Sequence, residues 1–449
     1  MNILKNIQNF YFIGIGGIGM SAIARYFNMQ GKNVAGYDRT SSKLTKALEE
    51  EGISVIFEDD SEKISIDFKN VDTTLIVYTP AVPVDTFIYQ YFIEKGFILK
   101  KRAEVLGLIS DSVFTMAVAG THGKTTTTAI LAHLLKETKA PVTAFLGGIS
   151  EDIQSNFVSL GNEVIVAEAD EFDRSFLNLS PNIGAITSMD ADHLDIYGVD
   201  EHLKASFRSF ANLVSESLFV KNGLPLEGIT IGVEDNADFS AINLKIEDGA
   251  YQFDVKTPKQ IIPGFRLRLP GRHNVFNATT AIAMALTYGI SADKLAQALD
   301  SFKGVKRRFS IPIQTKKRIL IDDYAHHPNE IEAVYNAVKE MYPEKSNLVI
   351  FQPHLFSRTR DFATEFADKL SLFDDVLLLD IYPAREKPIE GVSSAWLLEK
   401  INNTNKRIVS KGELPLVVQQ KNANVILMLG AGDIGNEVEF VKNALEDEV

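Results

Sequence analysis

The stretch Gly120-Thr-His-Gly-Lys124-Thr125-Thr-Thr-Thr128 constrains this chain more than any other. A loop of this kind wraps an anion in main-chain N–H groups, and it can do so only where a strand stops and a helix starts. The flanks comply: Phe114–Ala119 is a continuous apolar run, as expected of a strand buried on both faces, and Ala129–Leu135 suits a helix. The commonest spacing of such loops would place a glycine at 118, where Val118 stands. Gly120, Gly123, Lys124 and Thr125 still supply the parts. The turn of Gly120, Thr121, His122, Gly123 and Thr126 would cradle phosphates. Lys124 would reach the β and γ oxygens, and the Thr125 hydroxyl would meet Mg²⁺. This chemistry points to ATP or a related nucleotide.

A loop of this type sits in a parallel α/β sheet, and the same alternation runs along the whole chain. The chain has 449 residues, enough for two to four domains at about 100–200 residues each. Three α/β units are expected: 1–110, 111–308 and 309–449. In the first, Phe10–Ile15, Val34–Asp38 and Leu75–Tyr78 read as the first three strands, and 20–29 and 43–51 as helices. The stretch 217–270 reads as a small β subregion of the middle unit, and an alanine-rich helix follows up to Tyr288. In the last unit, 318–322, 347–351, 375–379 and 425–429 read as strands and 329–341 as a helix. With 45% hydrophobic and 23% charged residues the chain is an ordinary globular one, not disordered or collagenous. A formal charge of −13 argues against a nucleic-acid binder but not against small phosphorylated ligands. The absence of cysteine removes disulfides, thiolate catalysis and zinc–thiolate sites. Residues 1–10 lack the apolar core of a signal peptide, and no run approaches the ~20 apolar residues of a membrane span. A cytoplasmic protein without membrane insertion is expected.

Seven further stretches stand at strand ends, at a helix start or at a unit boundary. Gly14-Ile-Gly16-Gly17-Ile-Gly19, with Asp38 closing the next strand, matches a dinucleotide fingerprint. It speaks for a nucleotide diphosphate more than for NAD, and a bare tight turn would use the same glycines. A nucleotide-regulated, NAD-binding dehydrogenase or sensor fits this motif alone and leaves the phosphate loop unexplained. Glu168-Ala-Asp170-Glu171 and Asp190-Ala-Asp192-His193-Leu-Asp195 each follow a strand; beside a phosphate loop such oxygens suit Mg²⁺, although solvated turns use them too. Gly271-Arg-His273-Asn274-Val-Phe-Asn277 carries amides able to pair with an adenine edge or merely to line a polar helix face. Lys306-Arg307-Arg308 is either a solvated linker or a cationic reach toward a γ-phosphate. Asp322-Asp323-Tyr324-Ala-His326-His327-Pro328 and Gln352-Pro-His354-Leu-Phe-Ser-Arg358-Thr-Arg360-Asp361 end strands of the last unit. Six of the eight histidines fall within the phosphate loop or these motifs, which argues against scattered core histidines. His133 and His202 have no motif and read as structural.

Taken in order, these residues resemble the Mur ligases, ATP-dependent amide-forming enzymes of peptidoglycan synthesis. Within that family the glycine-rich first motif is most similar to the branch that adds L-alanine to UDP-N-acetylmuramate; the branch that recycles a murein tripeptide is the alternative. The resemblance implies an α/β architecture of three domains: Rossmann-like N-terminal, P-loop ATPase central and Rossmann-like C-terminal. It implies that Gly14, Gly16, Gly17, Gly19 and Asp38 hold the UDP of the sugar rather than NAD. Lys124 would neutralise ATP's phosphates, Thr125 and Glu168 would bind one Mg²⁺, and His193 would help to hold a second. Asn274 and Asn277 would contact adenine, Arg308 the γ-phosphate, and Asp323 would lie near the ribose. Tyr324, His327, His354 and Arg358 would surround the amino acid and the muramyl carboxylate, with His327 a candidate base. A monomer or homodimer would suffice. Many sister branches carry a carbamylated lysine in the region where this chain has Phe207 and Arg208; no lysine aligns here, and alanine-adding members of the family lack it too. Leu355 stands where that branch often has arginine, so the cation near the substrate must come from Arg358 or Arg360.

Overall fold

A computed structural model describes residues 3–190, 200–384 and 386–446. Their contacts form two compact units. One comprises Met1–Leu244, Phe253–Arg266 and Phe276–Phe302; the other comprises Lys245–Gln252, Leu267–Val275 and Lys303–Val449.

The first unit opens with a five-stranded sheet of β1 (Asn9–Ile13), β2 (Asn33–Tyr37), β3 (Ser54–Ile56), β4 (Thr74–Tyr78) and β5 (Ile98–Lys101). The order is β3-β2-β1-β4-β5 and every pair is parallel. Phe10–Ile13 is buried throughout because helices cover both faces, which is why the run is uniformly apolar. Leu75–Tyr78 is the fourth strand, not the third. Ser54–Ile56 and Ile98–Lys101 escape a sequence reading because they are short edge strands, the second with exposed or half-buried residues and two lysines.

The second sheet is larger. It is built from β6 (Phe114–Ala119), β7 (Val142–Ser150), β8 (Ser155–Ser159), β9 (Val164–Glu168), β10 (Ile183–Ile186), β11 (Ser217–Lys221), β12 (Ile229–Val233), β13 (Phe239–Glu247), β14 (Ala250–Lys256) and β15 (Ile261–Leu267). Its order is β15-β14-β13-β12-β11-β10-β6-β9-β7-β8. Residues 217–270 are β structure of the middle unit, as expected, but they form one continuous sheet with the strands before them. β11 pairs in parallel with β10 and extends the central sheet itself.

Two contacts bind these sheets into one unit. Arg25, 5% exposed on the helix Ile18–Met29, pairs with Glu51 at 2.7 Å and donates to Asn156 Oδ1 at 2.5 Å. Asn156, fully buried on β8, donates in turn to Ile18 O and Ser21 Oγ. A buried guanidinium is tolerable only when paired in this way. The second contact lies on the helix Arg102–Ser110. A Cβ on Gly107 would meet the main-chain oxygen of Asn178 at 2.4 Å, so the missing side chain lets two backbones touch.

The second unit holds a six-stranded sheet of β16 (Ser310–Gln314), β17 (Ile319–Asp323), β18 (Asn347–Phe351), β19 (Asp375–Leu378), β20 (Lys406–Ile408) and β21 (Val425–Leu429), in order β16-β17-β21-β18-β19-β20. Only the edge strand β16 is antiparallel; the other pairs are parallel. β18 and β21 are buried along their length. Among the described residues no helix is long and apolar enough to cross a membrane.

Gly107→Ala should destabilise the protein by about 1–3 kcal/mol, because the obstacle is backbone rather than a side chain that can swing aside. Urea unfolding of parent and variant measures this, and an unchanged midpoint would mean that the helix Arg102–Ser110 moves away freely.

Candidate active site

All three sheets present their chemistry at the carboxyl ends of parallel strands, where an α/β sheet leaves a crevice. In the central sheet β6 ends at Ala119 and the loop passes directly into the helix Lys124–Glu137. Gly120 (φ 136°) and Gly123 (φ 83°) take left-handed conformations that a side chain would strain. The loop is braced from the next strand. Ser188 Oγ lies 2.9 Å from Thr121 Oγ1 and accepts from His122 N at 2.7 Å, while Thr187 Oγ1 donates to His122 O. Asp190 N donates to Thr121 Oγ1 at 3.0 Å, and the Asp190 carboxylate stands 3.6 Å from His122 Nε2. The Thr187-Ser188 brace carries no motif, although two hydroxyls just past a buried strand are a readable signal.

Lys124 Nζ donates to Gly120 O at 2.7 Å and to Glu171 at 2.8–2.9 Å. The lysine side chain is 13% exposed and the glutamate 1%. Burial pulls the Lys124 pKa down, but Glu171, then Asp170 and Glu168, outweigh it and hold the ammonium above its ordinary range. Glu168 ends β9 opposite Val118 of β6, at the same sheet edge as the loop. Its carboxylate presses on Gly147, where a Cβ would lie 1.9 Å from Oε2. The Thr125 hydroxyl and Glu168 carboxylate are hard oxygen donors of the type Mg²⁺ takes, so the donor set fits that ion. Asn277 crowds Gly123, whose Cβ would meet Oδ1 at 2.6 Å, and Thr126 is buried in the first helical turn. Asp192, His193 and Asp195 lie outside the described residues.

In the first sheet Gly14 (φ 88°) turns the chain out of β1, and Gly17 caps the helix Ile18–Met29 without a side-chain bond. Asp38 accepts from Gly16 N at 2.8 Å and from Thr40 N at 3.1 Å, so it holds the glycine turn in shape. Arg102 is a site neighbour that the motifs do not announce. A Cβ on Gly19 would lie 2.5 Å from its Nη1, and its Nη2 stands 3.7 Å from Asp170.

In the second unit Asp323 is buried, and its carboxylate accepts from Phe309 N and Ala325 N at 2.7 Å each. It pins the stretch in which Arg307 and Phe309 adopt positive φ. Arg307 donates to Gly430 O and Gly432 O, and the Arg307 and Arg308 guanidiniums lie 5.2 and 5.1 Å from the Tyr324 ring centre. Asn274, buried on the helix Arg272–Tyr288, donates to Pro270 O at 2.6 Å; contacts group it with this unit and Asn277 with the first.

The two adjacent histidines differ. His327 Nδ1 accepts from Asn329 N at 3.3 Å and caps the helix Pro328–Met341, so its neutral ring carries hydrogen on Nε2. His326 Nδ1 donates to Tyr324 O at 2.9 Å with Glu330 at 3.4 Å, which makes Nε2 the acceptor of its neutral form. His354 stacks on Tyr382, and its Nδ1 lies 3.5 Å from Arg358 Nη1. Arg358 is buried, whereas Arg360 is exposed and bonded to Asp361. Leu355 takes a φ of 69° at the entry to the helix Phe356–Asp361.

Burial pushes the Asp322 carboxyl up to about 6, against the opposing pull of Arg307. Between the ordinary 3.8 and about 6 the folded protein therefore holds this proton more tightly than the unfolded chain. The group's contribution to stability is full at low pH and is lost as pH rises through that window. Asp322→Asn removes the titration, so the variant should gain on the parent by roughly 2–3 kcal/mol between pH 4 and pH 7. Urea unfolding of both proteins across that range tests it; a pH-independent difference would show that Asp322 ionises normally.

Comparison with known proteins accounts for the three sheets and their loops. Family profiles match three successive stretches: "Mur ligase family, catalytic domain" over residues 9–113, "Mur ligase middle domain" over 118–285 and "Mur ligase, glutamate ligase domain" over 307–432. The UDP-N-acetylmuramate--L-alanine ligase of Christiangramia forsetii is 61% identical over 451 residues, covering 100% of both chains. The solved UDP-N-acetylmuramate-alanine ligase of Thermotoga maritima is similar with TM-score 0.83 at 28% identity, covering 98% of this chain and 100% of that one. The murein peptide ligase of Psychrobacter arcticus shares the fold, with TM-score 0.67 at 21% identity and coverage of 98% and 99%. The three-part α/β architecture, the phosphate loop at the central sheet edge and the likeness along the whole chain agree: this chain belongs to the Mur ligase family.

Proposed function

We propose that this chain joins L-alanine to the lactyl carboxylate of UDP-N-acetylmuramate at the expense of ATP, in the cytoplasmic phase of peptidoglycan synthesis. The observation that carries this reading is full-length identity of 61% to a relative so named, in a chain that presents both a phosphate loop and a separate glycine-rich loop. The boundaries we assign are 1–110 for the UDP-sugar domain, 111–308 for the ATP domain and 309–449 for the closing domain.

A carboxylate is a poor electrophile, and joining it to an amine in water is uphill. Transfer of the γ-phosphoryl group of ATP to the lactyl oxygen solves both problems. The neutral amine of L-alanine then attacks the acyl phosphate, and the tetrahedral intermediate collapses to amide and phosphate. Lys124, leaving Glu171 for the β and γ oxygens, and Arg308 would offset the repulsion between ATP and an anionic sugar nucleotide. Mg²⁺ held by Thr125 and Glu168, with His193 toward a second ion, would supply further charge neutralisation on the phosphates. Asn274 and Asn277 would face adenine, Asp323 the ribose side, and the glycine turn of Gly14–Gly19 with Asp38 the UDP. Tyr324, His327, His354 and Arg358 would line the amino-acid and carboxylate site. Of the paired histidines, His326 is configured to take the amine's proton on Nε2; His327 would first have to give up its helix cap.

Phosphate release from ATP and Mg²⁺ with UDP-N-acetylmuramate, with and without L-alanine, tests the reading together with product mass. Alanine-dependent release with one alanine added is expected. Activity only with L-alanyl-γ-D-glutamyl-diaminopimelate would move the chain to the recycling branch. Lys124→Ala should abolish ligation while sugar-nucleotide binding stays near the parent value; near-normal turnover would remove the loop from the chemistry. Gly16→Val should weaken the sugar nucleotide more than ATP, because a Cβ there meets Asp38 Oδ2 at 2.8 Å and Thr45 Cγ2 at 2.9 Å. Equal loss of both ligands in titrations would contradict the division of labour between the two loops.

A further inference from the structure

We propose that Glu386 is a positioning residue for substrate binding, acting through Arg358; the inference rests on the proposed role of Arg358 at a substrate carboxylate. The Glu386 carboxylate accepts from Ser357 N at 3.0 Å and from the Ser357 hydroxyl in a second, shorter bond. Ser357 lies in the first turn of the helix Phe356–Asp361, immediately before Arg358. One acidic side chain, 29 residues away in sequence, thus fixes both hydrogen-bond donors of the residue just before the arginine.

The main chain on either side is held by the same segment. Leu355 N donates to Tyr382 O at 3.0 Å, and Tyr382 N donates to Pro353 O at 2.8 Å. Tyr382 also stacks on His354, with ring centres 5.8 Å apart and planes 18° apart. Glu386 N closes a turn on Pro383 O at 2.9 Å. Tyr382 and Glu386 therefore grip residues 353–357 from the histidine to the first helical turn. The grip holds two non-glycine residues in left-handed conformations, Leu355 (φ 69°) on one strand of the contact and Ala384 (φ 48°) on the other. Such conformations persist only where the surroundings over-determine them, and they gather at sites that need a fixed geometry. Arg358 is buried and its Nη1 lies 3.5 Å from His354 Nδ1, so a loosened first turn would displace a guanidinium that has little room to re-aim itself. Glu386 also stands close enough to Arg360 to favour its charge, without the direct pairing that Asp361 provides. Its part is geometric: two acceptor bonds to Ser357.

The test is steady-state kinetics of alanine-dependent phosphate release by Glu386→Ala, Glu386→Gln, Arg358→Ala and the double variant Glu386→Ala/Arg358→Ala, each checked for folding by thermal unfolding. Glu386→Ala should raise the KM for L-alanine about tenfold with kcat within about threefold, the pattern of lost binding rather than lost chemistry. Glu386→Gln keeps one acceptor and should restore most of the affinity. In the Arg358→Ala background the further change should be under about twofold, because the two residues act as one unit. If Glu386→Ala does not fold, Ser357→Ala removes one of the two bonds and should raise the same KM by about threefold. A Glu386→Ala variant with parental KM, or effects that multiply independently in the double variant, overturns the inference while leaving Arg358's role intact. An Arg358→Ala variant with every KM unchanged removes the substrate role of Arg358 itself, and the inference falls with it.

Discussion

A lysine that must stay charged out of water organises the central sheet. Lys124 lies at the start of a helix, where the backbone already repels cations, and its side chain is mostly withdrawn from water. Glu171, the carbonyl of Gly120 and the further charges of Asp170 and Glu168 hold it there. Removing one member of such a pair leaves an uncompensated buried charge, at a cost on the order of 3–5 kcal/mol. The acidic motif after β9 therefore has a structural task apart from any metal. It keeps the lysine ionised and aimed along the loop, and phosphate oxygens can replace Glu171 as its partner without a change of charge state.

The same edge is reused three times with different groups. In the first sheet glycines bring backbone N–H groups forward and Asp38 fixes their turn. In the central sheet hydroxyls of Thr187 and Ser188 brace the loop from the neighbouring strand. In the last sheet Asp323 pins the chain around Arg308, and the helix cap and carbonyl bonds assign different tautomers to His326 and His327. Close approach is the common device. Gly19 against Arg102, Gly147 against Glu168 and Gly123 against Asn277 each admit a polar group where a methyl would stand.

What could be read from the sequence follows from how local each signal is. Strands buried on both faces, such as Phe114–Ala119 and Val425–Leu429, announce themselves as apolar runs, and the glycine loops announce the turns after them. The short edge strands Ser54–Ile56 and Lys406–Ile408 do not, because half-exposed residues carry no clear period. The stretch 217–270 reads as a small β subregion of the middle unit because its turns are rich in Gly, Pro and Asn, and parallel pairing of β11 to β10 makes it part of the central sheet. Contacts between distant residues leave no local mark: Arg25 and Asn156 are 131 positions apart, and Ser357 and Glu386 are 29 apart. The paired histidines were legible as a motif. Their tautomers were not, since these depend on which backbone groups the fold brings to each ring.

In this mechanism ATP activates the lactyl carboxylate and the amine displaces phosphate from carbon. Labelling that carboxylate with heavy oxygen and following inorganic phosphate by mass spectrometry during turnover with ATP, Mg²⁺ and L-alanine tests it most directly. Acyl-phosphate formation leaves one labelled oxygen in the phosphate for every amide formed, since the carboxylate oxygen that attacks phosphorus leaves with it. Amide formation accompanied by unlabelled phosphate would contradict it.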